Sequence, residues 1–312
     1  MSAGKLSEQA KGVYIIAATP FTETGALDLP STDRLIDSYL EAGVDGVTIL
    51  GVFGEAPKLS NEESLSFTKR VLTRIDGRVP VVVGVSSPGM DIMRAFTATV
   101  MELGAAGAML APLSGLKTDD QIYGYYAQAT EALGSTPIVL QDYPQTTQVT
   151  MAPSLVNRLF RDLPTLKILK HEETPGLKKI SLVRADEAAG NRRRVSILVG
   201  NGAMHLPLEM HRGADGANTG FAFPEMLVEV VRLFHAGEAE RAEDLYDAYL
   251  PLVRYENQPG LGLAIRKEVL RRRGLIASAK VRSPGPSLDK HDHAELDRML
   301  ARLDRAKRER GF

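Results

Sequence analysis

Lys170 is the residue of this sequence best placed to act as a nucleophile. It closes the apolar run Leu166-Lys167-Ile168-Leu169-Lys170. A lysine whose stem is walled by apolar side chains loses solvation, which favours the neutral, nucleophilic amine. Strand parity predicts Leu166, Ile168 and Lys170 on one face and Lys167 and Leu169 on the other. A register shifted by one residue exchanges the two lysines, and a solvated or salt-bridged lysine at a strand end is the plainer alternative. Gly51-Val52-Phe53-Gly54 is a glycine-flanked turn whose backbone N–H groups could hold a carboxylate. Glu55 behind it reads as a structural acid. Gln141 and Tyr143 share a parity if their strand continues that far. The Tyr143 phenol is then either a proton relay or an aromatic side chain packed in a loop.

Other chemistry-bearing groups read as surface. His291-Asp292-His293 has the look of a metal tag but lies in a charged tail, and His205 and His211 have no partner at ligand spacing. No metal and no cofactor are expected. Arg192-Arg193-Arg194 precedes the seventh strand and reads as a solvated loop.

The elements that must carry these groups alternate. Short apolar or β-branched runs, each bounded by Gly or Pro, recur at 13–19, 46–50, 80–85, 108–111, 137–140, 166–170, 195–199 and 216–219. Their nearly continuous apolar character suits strands covered on both faces. Helix-period segments lie between them, such as Leu155, Val156, Leu159 and Phe160, and Ser60 with Glu63 matches a capping box. Eight β-then-α units predict an α/β fold, a (β/α)8 TIM barrel over 1–236 that carries the active site, with a C-terminal helical extension over 237–312. An open doubly wound sheet is the competitor, but its glycine fingerprint is missing. In such a barrel the active site forms at the C-terminal ends of the strands. That rule selects the residues following strands two, four, five, six and seven, Lys170 and Gly200 among them.

Composition narrows the classes further. The chain has 312 residues, with 38 Lys and Arg against 39 Asp and Glu, and no cysteine. Balanced charge argues against general nucleic-acid binding. Without cysteine there is no disulfide, thiolate catalysis or Cys-ligated zinc. No apolar run approaches a membrane helix, and the first ten residues lack the apolar core of a signal peptide, so a soluble, cytoplasmic protein is expected.

In order and spacing, several features resemble the dihydrodipicolinate synthase / N-acetylneuraminate lyase family over essentially the whole chain. They are Thr19-Pro20-Phe21, Gly51-x-x-Gly54-Glu55, Pro112, the strand-five motif ending in Pro144, Lys170 and Gly200. The resemblance implies a (β/α)8 barrel with a C-terminal helical bundle, usually tetrameric. It also implies a Schiff base between Lys170 and pyruvate or a related 2-oxo acid. The departures bear on substrate. Val52 and Phe53 stand where true synthases have Thr-Thr, Gln141 replaces their strand-five tyrosine, and Asp142 replaces the asparagine after it. Leu113-Ser114 replaces the tyrosine after Pro112, and Thr146 or Thr147 lies near the place of the arginine that grips the second substrate's carboxylate. A hydroxyl does not replace a bidentate arginine. Gln141-Asp142-x-Pro144, Glu173-Thr174-Pro175-Gly176, Pro251-Leu252 with Glu256-Asn257, and Gly274-Leu275-Ile276-Ala277-Ser278 are similar to the family's 2-keto-3-deoxy sugar-acid dehydratases.

The implied activity is that of a Schiff-base lyase, aldolase or hydro-lyase, acting on pyruvate or a small 2-oxo acid such as a 2-keto-3-deoxy sugar acid. The alternatives are a 4-hydroxy-tetrahydrodipicolinate synthase of lysine biosynthesis and a non-catalytic relative that binds a 2-oxo acid. Lys170 and Tyr143 are expected to be catalytic. Gly51, Val52, Phe53, Gly54, Gln141, Gly200 and Asn218 are expected to bind substrate, Phe53 and Asn218 from their places in the family's pocket. The expected partners are the small-molecule 2-oxo acid and further copies of the chain, as a homotetramer, with no nucleic acid and no membrane.

Overall fold

The structure, a computed structural model, describes residues 4, 6–174 and 176–311; Pro175 lies outside them. The apolar runs form β1 (Gly12–Ile16), β2 (Gly46–Ile49), β3 (Val81–Gly84), β4 (Gly107–Leu110), β5 (Ile138–Asp142), β6 (Leu166–His171), β7 (Ser196–Val199) and β8 (Gly216–Ala217). They pair in parallel and in chain order, and β8 returns to β1 to close the barrel. Strand alternation divides the side chains. Val13, Ile15, Val47, Ile49, Val81 and Val83 face the surrounding helices. Tyr14, Val82, Met109, Val139, Ile168 and Leu198 fill the interior together with Leu6, whose N–H donates to the Ala106 carbonyl at 3.2 Å just before β4. The lower barrel is therefore apolar and plugged. Besides Thr48 and Ser196, which share the inward parity, the polar inward groups lie towards the C-terminal ends, where Gln141, Lys170 and Asn218 are all buried.

The expected faces of β6 need one correction. Ile138 pairs with Leu166, but the next pair is Val139 with Ile168, so a bulge skips Lys167. One extra residue changes the parity on its N-terminal side. Leu166 accordingly joins the outer core, while Ile168 and Lys170 point inward. Lys167 pairs instead with Glu8 at 3.2 Å. The eighth strand is short because it closes a tight seam. A Cβ on Gly216 (φ +153°) would lie 1.9 Å from the Gly12 carbonyl oxygen, so only glycine fits there.

The helices are α1 (Leu29–Glu41), α2 (Asn61–Ile75), α3 (Met90–Glu102), α4 (Asp119–Leu133), a single turn α5 (Pro144–Thr147), α6 (Pro153–Asp162), α7 (Leu177–Ala188), α8 (Leu206–His211) and α9 (Pro224–His235). The Ser60–Glu63 capping box opens α2, with Ser60 Oγ accepting from the Glu63 N–H at 3.1 Å and Glu63 Oε2 accepting from the Ser60 N–H at 2.9 Å. Beyond α9, α10 (Ala239–Glu256), α11 (Gly262–Arg272) and α12 (Lys290–Arg310) form the helical extension, in which α10 packs against α9, α11 and α12. The triple arginine is not a solvated loop. Arg192 is buried and donates to the Val183 carbonyl at 2.6 Å. Arg193 donates to the Leu166 carbonyl at 2.6 Å, and Arg194 pairs with Asp215 at 2.5 Å. Arg193 thus supplies a donor to the first carbonyl of β6, Arg192 one to a carbonyl of α7, and Arg194 a charge partner to Asp215.

Candidate active site

Lys170 and Glu172 leave the end of β6 two residues apart and meet at 3.0 Å, Nζ to Oε1, both buried. The walls around Lys170 are thus not purely apolar. A buried ammonium needs a partner, and the chain provides it from the same strand end. Gln141, inward on β5 beside Lys170, donates from Nε2 to Glu172 Oε1 at 2.7 Å. The Asn201 N–H donates to the other carboxylate oxygen at 3.2 Å. Gly200 is what admits this carboxylate: a Cβ there would lie 2.3 Å from Glu172 Cγ. Asp142, of opposite parity to Gln141, points outward to Lys179 at 2.7 Å.

The strand-two turn is a 3₁₀ turn over Val52–Gly54. The Gly54 N–H donates to the Gly51 carbonyl at 3.0 Å, and the Glu55 N–H to that of Val52 at 3.1 Å. The first N–H groups of a helical turn have no partner within it, which leaves those of Val52 and Phe53 as donors. Thr19 fixes the turn from β1's end, its hydroxyl donating to the Gly54 carbonyl at 2.7 Å. Glu55, in a left-handed conformation (φ 53°), turns away and is buried. Its Oε1 accepts from Lys267 Nζ of α11 at 2.6 Å, and its Oε2 from Lys58 Nζ and the Arg282 N–H, both at 3.0 Å. Burial pulls the Lys267 ammonium down to about 8 against the opposing pull of Glu55. The structural reading of Glu55 therefore stands on a clasp between the turn and the helical extension.

Tyr143 follows β5 directly and is half-buried, with Pro144 opening α5 behind it. Burial pushes its phenol above the ordinary value; the Glu172 charge adds to this, while Thr146 and the Arg266 guanidinium oppose it. Asn218, just past β8, is fully buried, and neither atom of its amide makes a hydrogen bond among the described residues. Glu209 of α8 is buried, and burial pushes its carboxyl up to about 8, with the Glu172 charge adding to the shift. A cavity of about 800 Å³ opens beside this cluster. Leu50, Met109, Ala111, Gln141, Thr146 and Leu263 are among the residues that line it.

The model of the Dihydrodipicolinate synthetase family matches residues 9–303. The chain belongs to this family. It is similar to the L-2-keto-3-deoxyarabonate dehydratase of Azospirillum brasilense, 32% identical over 308 residues, with 94% of each chain covered. Against the 4-hydroxy-tetrahydrodipicolinate synthase of Persephonella marina it is 31% identical over 249 residues, covering 78% of this chain and 82% of that one. A crystal structure of dihydrodipicolinate synthase from Rhodopseudomonas palustris superposes with a TM-score of 0.94 at 48% identity, covering 96% of this chain and all of that one. Dihydrodipicolinate synthetase family membership makes the protein a lyase of the class I aldolase type. No helix among the described residues is long and apolar enough to cross a membrane.

The family's barrel mouth gathers most of the residues singled out from sequence. Lys170 and Gln141 converge through Glu172, Gly200 abuts that carboxylate, and the Tyr143 phenol feels its charge. The turn from Gly51 to Gly54 and Asn218 stand at the ends of β2 and β8. Sequence reasoning missed Glu172 as the lysine's partner, although its parity with Lys170 was readable. It also missed Glu209 and the two inward cations of α11, for which sequence carries no signal, because a charged residue on a helix reads as solvent-facing. His291, Asp292 and His293 lie in the first turn of α12, with none of the three buried.

Proposed function

We propose that this lyase forms a Schiff base between Lys170 and a small 2-oxo acid, and that its reaction is the dehydration of a 2-keto-3-deoxy sugar acid. The observation that carries the reading is the inward, buried Lys170 at the end of β6 with Glu172 3.0 Å from its amine. Glu172 takes the ammonium proton. The amine attacks C2, a C–N bond forms, and the ketone oxygen leaves as water, taking one proton from the nitrogen and the other back from Glu172, which is then a carboxylate again. The protonated imine withdraws electrons and acidifies C3. Glu172 is within reach of Lys170 and accepts the C3 proton. The enamine then expels the C4 hydroxyl, which leaves as water with a proton from the Tyr143 phenol, and hydrolysis frees the lysine. The N–H groups of the strand-two turn receive the carboxylate, and Asn218 and Gln141 offer amide groups to substrate oxygens.

Similarity to the Azospirillum brasilense dehydratase over 94% of both chains supports this choice. The 48% identity to the dihydrodipicolinate synthase of Rhodopseudomonas palustris favours the second reading, a 4-hydroxy-tetrahydrodipicolinate synthase. Gln141 at the phenol position and the absence of an arginine after β5 weigh against it. The protein acts as a cytoplasmic homotetramer by likeness to its family. A screen of 2-oxo acids by borohydride trapping and intact mass tests the reading, and a coupled assay with aspartate semialdehyde and pyruvate separates the synthase. Turnover in that assay at rates above those with any sugar acid overturns the dehydratase assignment.

A further inference from the structure

We infer that Arg266 of α11 binds the substrate carboxylate at the strand-two turn. The inference rests on the reading above that a 2-oxo acid is held on Lys170. Arg266 is 2% exposed, and among the described residues its only side-chain hydrogen bond runs from Nε to Glu256 Oε2 at 3.0 Å. Both terminal nitrogens are buried and without a hydrogen-bond partner among the described residues. Buried donors left unmade are costly, and a guanidinium whose two outer nitrogens are free presents the planar fork that matches a carboxylate. The Glu256 pair fixes the group and leaves that fork open.

The position of the fork points to the same ligand as the turn. The guanidinium carbon lies 3.7 Å from the centre of the Phe53 ring, so Arg266 stacks on the turn whose free N–H groups belong to Val52 and Phe53. Position 220, which follows β8, is glycine, and a Cβ there would lie 2.2 Å from Nη1. That gap admits the fork beside the barrel mouth. Two residues earlier, Asn218 adds an unpartnered amide. The Tyr143 phenol feels the charges of both Glu172 and Arg266. The half-buried Phe53 ring lies over the guanidinium face. The helical extension thus supplies a binding group to the site, where the family's synthases use a threonine hydroxyl.

The test compares pyruvate with methyl pyruvate, which keeps the ketone and lacks the charge. The concentration of each that gives half-maximal borohydride trapping is measured for the wild type, Arg266→Gln, Arg266→Lys and the charge-neutral pair Arg266→Gln/Glu256→Gln. Wild type is expected to prefer the acid, and both Gln variants to lose that preference by roughly 10- to 100-fold while the ester is trapped as before. Arg266→Lys, a point charge without the fork, falls between. Should the Gln variants fail to fold, Arg266→Lys alone decides. An unchanged acid-to-ester ratio, or equal weakening of acid and ester, overturns the assignment and leaves the Lys170 adduct standing. Absence of any adduct in the wild type overturns the underlying reading and this inference with it.

Discussion

Gly200 and Glu172 interlock at the barrel mouth: the space a Cβ would need at position 200 is filled by the carboxylate side chain, 2.3 Å away at Cγ and 2.5 Å at Oε2. Glu172 in turn reaches Lys170. Gly200→Ala must therefore displace Glu172 from the amine. A misplacement of about 1 Å can cost ~10²-fold in rate, so turnover is expected to fall by about that factor with the fold intact. Steady-state kinetics alongside circular dichroism checks this, and wild-type turnover in the variant removes Glu172 from the proton path.

Tyr143→Phe separates proton donation from packing. The phenol is held protonated by burial and by the Glu172 charge, and a positioned acid contributes roughly 10²–10⁴-fold. Turnover should fall by about 10²-fold, the low end, because Glu172 stands nearer the amine. Borohydride trapping on Lys170 should persist. An unchanged rate means that the ring only packs.

Glu209 gives the stability a pH signature. Its folded value of about 8 lies above the ~4.3 of an unfolded glutamate. Between those limits the folded chain holds a proton that the unfolded chain has released. The stabilising contribution is thus complete below about pH 4 and is lost as pH rises towards 8. Thermal melts between pH 5 and 8 should show this decline in wild type and a flatter profile in Glu209→Gln. Parallel profiles would show that the carboxyl is ionised in the fold.

The clasp between the strand-two turn and the extension is open to a stability test. Lys267→Met leaves Glu55 buried, though still held by Lys58 and the Arg282 N–H. Breaking a buried pair costs about 3–5 kcal/mol, and the remaining contacts favour the lower end. Denaturant unfolding should register the loss, and adding Glu55→Gln should recover part of it. A loss within 0.5 kcal/mol of zero, the range of ordinary surface changes, contradicts the clasp.

The barrel was legible because its strands are apolar runs between Gly and Pro, a signal that survives without tertiary context. Even the run at 216–219, small and polar for a strand, marks β8, and Gly216 sits where the seam demands glycine. Lys170 was legible from its place at a strand end. Leu166 was not, because a bulge changes parity and nothing in Leu166-Lys167-Ile168 announces one. Arg192 read as solvated charge, and Arg266 and Lys267 drew no reading at all, since their burial depends on carbonyls, carboxylates and rings brought together by the fold from distant segments. The partnership of Glu172 with Lys170 is different. Two residues of equal parity stand at one strand end, a spacing that is readable from sequence alone.

The central claim is that Lys170 is the amine that captures the substrate. Borohydride reduction in the presence of pyruvate, read by intact mass and peptide mapping, tests it most directly. Wild type should gain one covalent adduct per chain, on Lys170, and Lys170→Ala should gain none while its circular dichroism spectrum stays that of the folded barrel. Labelling at Lys167 or Lys267, or undiminished labelling in Lys170→Ala, would contradict the account.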